Sequence, residues 1–262
     1  MAHYIVTAEY APVRRSTSTR SERLYEFLFG EVLLSSEESG KWLKVVVPGR
    51  EEEGWVLGES VAELSEKQLA EYNSMVHMKV ECNGLFVKRI DSYTTLLLPP
   101  CAVMPFYNIM TGTFKVADAE YEVVSPIYWN VNISERRDRI YRAAMCYLNA
   151  PFLYKGRTNG GIDDLFLVSN ALSVAFDSVP KNLAELSKFG FPLSFIEEAQ
   201  LGDILLFSDL NGQLSHCGMY VGNGCVLHAA GRVRVDKVDH QGVYNSTLKR
   251  YSFQLAGIVA VE

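Results

Sequence analysis

Gly160-Gly161-Ile162-Asp163-Asp164-Leu165-Phe166-Leu167-Val168 and, further along, Leu214-Ser215-His216-Cys217-Gly218-Met219-Tyr220-Val221-Gly222-Asn223-Gly224 are the stretches from which the rest of this chain is read. The first has the form of a glycine turn opening directly into an amphipathic helix, with two acids where free helical N–H groups need acceptors. The second reads as a strand with a histidine near its start, ending in a Gly-Asn-Gly hairpin turn. A polar residue at a helix N-terminus facing an imidazole on a strand is the layout of an active site.

Working outward, Ser134 is placed to cap a helix from Glu135 to about Leu148, with Ile140, Ala144, Tyr147 and Leu148 as its apolar stripe. The helix opened by Asp163 and Asp164 should run to about Phe176, and Asn182 should cap a short helix to Lys188. From Gly202 onward the pattern turns to strands: Ile204 to Phe207, Cys217 to Val221, Cys225 to Ala229, Val233 to Val235 and Gly257 to Val261. Helices first and an antiparallel sheet afterwards make residues 134–262 an α+β domain.

Upstream, short apolar runs broken by turn clusters over residues 1–64 suggest a small β-barrel. Residues 65–78 read as a connecting segment, with a helix from Val61 to about Met78, and residues 79–130 as a second, diverged barrel. Trp129 to Ser134 looks like the boundary to the last domain. The chain has 262 residues, 48% of them apolar and 21% charged, with a net charge of −6. This is an ordinary globular composition that lacks the basic footprint nucleic-acid binding requires. No run of eighteen or more apolar residues is present, so no transmembrane helix is expected. The five cysteines have no metal-ligand spacing, and neither metal nor cofactor is expected. Free thiols and the absence of a leader pattern point to the cytoplasm; a trimmed leader would move the expectation to the cell envelope.

Several motifs in series carry a resemblance. Pro151-Phe152-Leu153-Tyr154-Lys155-Gly156, Gly161-Ile162-Asp163, Gly202-Asp203-Ile204-Leu205-Leu206-Phe207, Ser215-His216-Cys217-Gly218-Met219-Tyr220 and Leu227-His228-Ala229 occur in this order. Together they resemble the NlpC/p60-type, papain-like cysteine peptidases that cleave cell-wall stem peptides. Phe29-Gly30-Glu31-Val32, Gly40-Lys41-Trp42 and Gly54-Trp55-Val56 resemble the bacterial SH3-type domains found beside such enzymes. The resemblance implies that His216 is the general base and His228 its orienting partner. It also implies that Asp163, Ser215 and Phe152 line the ligand groove, Asp163 by holding a free N-terminal amine.

At the position of the family's nucleophilic cysteine this chain has Asp164, followed by Leu165 for a serine and Phe166 for a glycine. A carboxylate attacking a peptide would form an anhydride, and loss of such a nucleophile costs about a millionfold in turnover. The resemblance therefore implies an inactive homologue of the γ-D-glutamyl-diamino acid endopeptidases that binds a peptidoglycan-derived peptide or a protein partner. Two alternatives stand beside it: a peptidase using a relocated thiol, and a purely structural scaffold whose cleft Leu165 and Phe166 plug. Taken singly, Asp163 and Asp164 need be no more than helix caps, and each histidine no more than a satisfied sheet residue.

Overall fold

In a computed structural model of the chain, residues 1–49, 51–81, 83–125, 135–209 and 211–261 are described. The expected boundary from Trp129 to Ser134 and the Ser134 cap lie outside them, as does Cys82. The chain divides into two compact units, Met1–Trp129 and Asn130–Glu262. Among the described residues no helix is long and apolar enough to cross a membrane.

The N-terminal unit contains a seven-stranded antiparallel sheet. In spatial order its strands are Arg23–Leu28, Tyr10–Arg14, Glu53–Leu57, Trp42–Val46, Val32–Ser39, Ala2–Val6 and Val61–Leu64. A four-stranded sheet follows, ordered Thr95–Leu98, Leu85–Arg89, Ala119–Val123 and Thr113–Val116. One apolar cluster joins the two segments expected as barrels. Ile5, Phe29 and Leu64 cluster with Leu85, Val87, Phe114 and Tyr121. The Phe29 ring stands edge-on to Phe114 and Tyr121, and the Val103 amide donates to the Phe29 carbonyl at 2.9 Å. The expected helix from Val61 to Met78 is shorter than its apolar spacing suggested. Val61–Leu64 pairs as a strand with Ala2–Val6, and the helix spans Glu66–Asn73 behind a Ser65/Gln68 capping box.

The C-terminal unit is α+β, with a β-barrel. Its sheet order is Phe191–Leu193, Arg250–Ala260, Ile204–Ser208, Leu214–Tyr220, Cys225–Ala230, Arg232–Asp239 and Gly242–Asn245. Gly242–Asn245 also pairs with Arg250–Ala260, which closes the sheet on itself. Phe191–Leu193 and Gly242–Asn245 carry no clear strand signal and are read only in the structure. The helices are Arg136–Met145, Asp164–Leu172 and Leu183–Leu186; the Asn182 side chain caps the last, accepting from the Glu185 amide at 2.8 Å.

The helix Asp164–Leu172 is not amphipathic. Every residue from Phe166 to Leu172 is buried, because the helix packs between Arg136–Met145 and the strands Leu214–Tyr220 and Cys225–Ala230. Its polar residues are satisfied internally: Ser169 Oγ donates to the Pro180 carbonyl at 2.6 Å, and Asn170 Nδ2 to Tyr147 Oη at 2.9 Å. Gly161 lets the chain enter this helix, since a Cβ there would lie 2.4 Å from Leu153 Cδ2. Asp203 of the Gly202-Asp203 motif is structural: it accepts from Arg137 Nη1 at 2.6 Å and from the amides of Gln200 and Val261.

Candidate active site

The N-terminus of the buried helix fixes two acids side by side in different environments. Asp163, the N-cap, is 4% exposed; Oδ1 accepts from the Phe166 amide at 2.8 Å and Oδ2 from the Lys155 amide at 2.9 Å. Its carboxylate therefore closes the helix start and ties down the preceding loop. Asp164, one residue on, keeps a side chain 17% exposed. Its Oδ2 lies 2.7 Å from His216 Nδ1 and accepts from the Cys217 amide at 3.1 Å. Among the described residues Asp164 Oδ1 has no hydrogen-bond partner.

From His216 the polar chain continues inward. His216 Nε2 is 2.9 Å from His228 Nδ1, and His228 Nε2 is 3.0 Å from Asp236 Oδ2. Arg234 Nη2 donates to Asp236 Oδ1 at 2.8 Å. Strand register explains the line. His228 faces Arg234 across the ladder, and Asp236 lies two residues further along, on the same face as Arg234. Gly218, opposite His228, keeps these strands close: a Cβ there would come within 2.6 Å of Val226 Cγ2 and 3.0 Å of His228 Cβ. The His216 ring lies nearly flat on Phe253, with centroids 4.1 Å apart.

Counting protons defines the electrostatics. Three contacts, Asp164–His216, His216–His228 and His228–Asp236, need three bridging protons, and two neutral imidazoles supply two. Burial drives the His228 pKa down; the Asp236 hydrogen bond opposes this, while His216 and Arg234 add to it. For Asp236, burial alone would raise the pKa, but hydrogen bonds and charge from His228 and Arg234 outweigh it and hold the group below its ordinary value. His228 is thus neutral, donating to an ionised Asp236 and accepting from His216 Nε2–H.

The remaining expected site residues are dispersed in exposure. Ser215 is exposed, next to His216 on its strand. Phe152, 41% exposed, pairs with Ile162 and so flanks the helix entry. Phe166 is turned into the interior beneath the Arg157 guanidinium at 5.6 Å, and Leu165 is half-buried. Of the thiols, Cys217 is fully buried; burial, then the charges of Asp164 and Asp163, push its pKa well up. Cys225 and His228 sit an odd number of positions apart on one strand and point to opposite faces. Among the described residues no group of three or more metal-ligating side chains is assembled. Asp236 and Arg234 are the site members that sequence reasoning missed.

A helix N-terminus presenting one side chain to an imidazole on an adjoining barrel strand, backed by a second imidazole, is a layout shared with papain-like peptidase domains. Residues 149–252 match the model of the NlpC/P60 family, and they follow an N-terminal unit built of β-sheets. It is 24% identical over 220 residues to the γ-D-glutamyl-L-lysine dipeptidyl-peptidase of Bacillus subtilis (strain 168), covering 78% of this chain and 71% of that protein. An NlpC/P60 family protein from Bacillus cereus ATCC 10987 superposes with a TM-score of 0.76 at 14% identity, covering 99% of both chains. An NlpC/P60 endopeptidase from Photobacterium damselae subsp. piscicida gives 0.65 at 13% identity, over 98% of this chain and 72% of that one. The sequence likeness makes the chain a distant homologue of that dipeptidyl-peptidase, and the structural likenesses show the shared fold.

Proposed function

We propose that this chain binds peptidoglycan-derived stem peptides without hydrolysing them. The observation that carries the reading is the carboxylate of Asp164 in the first turn of the buried helix, 2.7 Å from His216 Nδ1. In a thiol peptidase that imidazole nitrogen faces the sulfur it activates; here it is engaged by an oxygen acid. An acyl transfer to Asp164 would yield an anhydride, and its charge opposes the oxyanion a tetrahedral intermediate would place there.

Recognition survives in this reading, with a change of emphasis. Asp163 has both oxygens committed to backbone amides, so the amine-binding role falls on Asp164, whose Oδ1 is uncommitted and whose side chain is partly exposed. A ligand's free N-terminal ammonium would replace water at that oxygen. A relocated thiol is disfavoured by the burial and high pKa of Cys217, which keep it protonated and out of reach.

The test pairs calorimetric titration with a cleavage assay, using L-Ala-γ-D-Glu-diaminopimelate on the full chain. Binding without cleavage is expected, weakened by Asp164→Asn and by N-acetylation of the peptide. Turnover that disappears in His216→Ala would overturn the proposal, as would the absence of any binding.

A further inference from the structure

A cavity of about 420 Å³ lies within the N-terminal unit and shares no residue with the Asp164–His216 site. That volume falls in the range of small-molecule sites, roughly 300–1,000 Å³. Leu64 and Phe114 of the shared core form its floor, and Tyr72 and Phe106 its aromatic wall.

The wall is held in a costly conformation. Phe106 has φ 57° and Ala117, also lining the cavity, φ 50°, a region side-chain-bearing residues seldom occupy. His77 clamps the first of these. Its ring lies 4.2 Å from that of Tyr72 and 5.2 Å from that of Phe106, and Nδ1 is 3.5 Å from the Phe106 amide while Nε2 contacts the Tyr72 carbonyl at 2.9 Å. Burial lowers the His77 pKa, which suits a neutral ring donating at Nε2 and accepting at Nδ1. Strain of this kind, fixed by a half-buried histidine, shapes a concavity that packing alone does not require.

The polar lining divides into committed and uncommitted groups. Tyr72 Oη donates to the Gly30 carbonyl at 2.9 Å, and Gln68 Nε2 to Asp118 at 2.9 Å while its oxygen serves the helix cap. Lys115 and Glu120 face each other across a strand pair, yet among the described residues neither makes an ion pair. Glu71 has only a 3.9 Å contact to the exposed Lys67. The cavity thus offers one ammonium and two carboxylates above an apolar floor. We infer that it binds a free diamino acid: one carboxylate for Lys115, two ammonium groups for Glu71 and Glu120, and a methylene chain for the aromatic wall.

L-lysine is the probe, titrated calorimetrically into the full chain. Norleucine, without the side-chain ammonium, and lysinamide, without the carboxylate, should bind at least about tenfold more weakly, as loss of one charged contact implies. Lys115→Met should abolish the preference for lysine over lysinamide, and Glu71→Gln and Glu120→Gln should each weaken lysine by a similar factor. All three positions are solvent-facing, and Trp42 and Trp55 fluorescence verifies that the unit stays folded. His216→Ala should leave lysine binding unchanged. Norleucine binding as tightly as lysine, no binding at about 1 mM lysine, or loss of binding in His216→Ala would each overturn the inference.

Discussion

Replacing Asp236 by Asn isolates the innermost carboxylate of the polar chain. The Asp236 side chain is 6% exposed and takes hydrogen bonds from His228 and Arg234. An amide oxygen can still accept from His228 Nε2–H, so the main loss is the charge facing Arg234, whose side chain is 25% exposed and partly rehydrates. A charge-assisted hydrogen bond contributes roughly 1.5–3 kcal/mol, and discounting for that rehydration leaves about 1–2 kcal/mol at pH 7.

The pH dependence gives this its signature. Asp236 has a folded pKa below its unfolded value, so its stabilisation is complete above about pH 4 and is lost as pH falls through the folded value. His228, held neutral, also has a depressed pKa and costs stability below about pH 6.5; the Asp236 carboxylate opposes that depression, so its loss lowers the His228 pKa further in the variant. The difference between the two proteins should therefore hold or widen from neutrality down to about pH 4, and shrink below it as Asp236 protonates in the parent. Tryptophan fluorescence is unsuited, because Trp42 and Trp55 lie in the other unit. Hydrogen exchange at the amides of Leu214–Tyr220 and Cys225–Ala230 reads the right unit, and about 1–2 kcal/mol corresponds to a roughly 5–30-fold faster exchange at pH 7. A difference that persists unchanged to pH 2.5, or exchange indistinguishable at neutrality, would refute the assignment of Asp236 as an ionised partner of His228 and Arg234.

Asp164→Cys should place a thiol at the helix start beside His216 and lower its pKa. Alkylation by iodoacetamide at that position is expected to be at least about tenfold faster than at buried Cys217, and to slow when His216→Ala is added. Gly218→Ala should destabilise the C-terminal unit by about 1–3 kcal/mol through the clash with Val226 and His228, measured by the same exchange experiment. In the unmodified chain Cys217 should resist alkylation under native conditions and react once urea unfolds the unit, read by mass spectrometry.

The sequence made Asp164, His216 and His228 legible because their motifs occur in a fixed order, and the structure brings these three into one hydrogen-bonded line. Asp236 was illegible for a physical reason. Val233 and Val235 look like the buried face of a strand, which would turn Asp236 to solvent, yet Val235 is 41% exposed and Asp236 is buried. The pairing of His228 with Arg234 overrides local hydrophobic alternation, and only the register reveals it. The same limit applies upstream: periodicity located the strands of residues 1–64 and 79–130, but Phe29 joining Phe114 and Tyr121 in one core is a long-range fact.

Asp164 sits comfortably in a position that the family resemblance assigns to a thiolate, and the surroundings explain why. The helix start, the Cys217 amide and the His216 imidazole would stabilise a sulfur anion, and the same surroundings receive the Asp164 carboxyl group. The free energy that fixes the anion is indifferent to its nucleophilicity. A carboxylate supplies an acceptor to His216 at the head of the His216–His228–Asp236 line, and its Oδ1 has no hydrogen-bond partner among the described residues. On the proposed reading, one substitution thus turns a bond-forming site into a cation-accepting one without disturbing the fold that holds it.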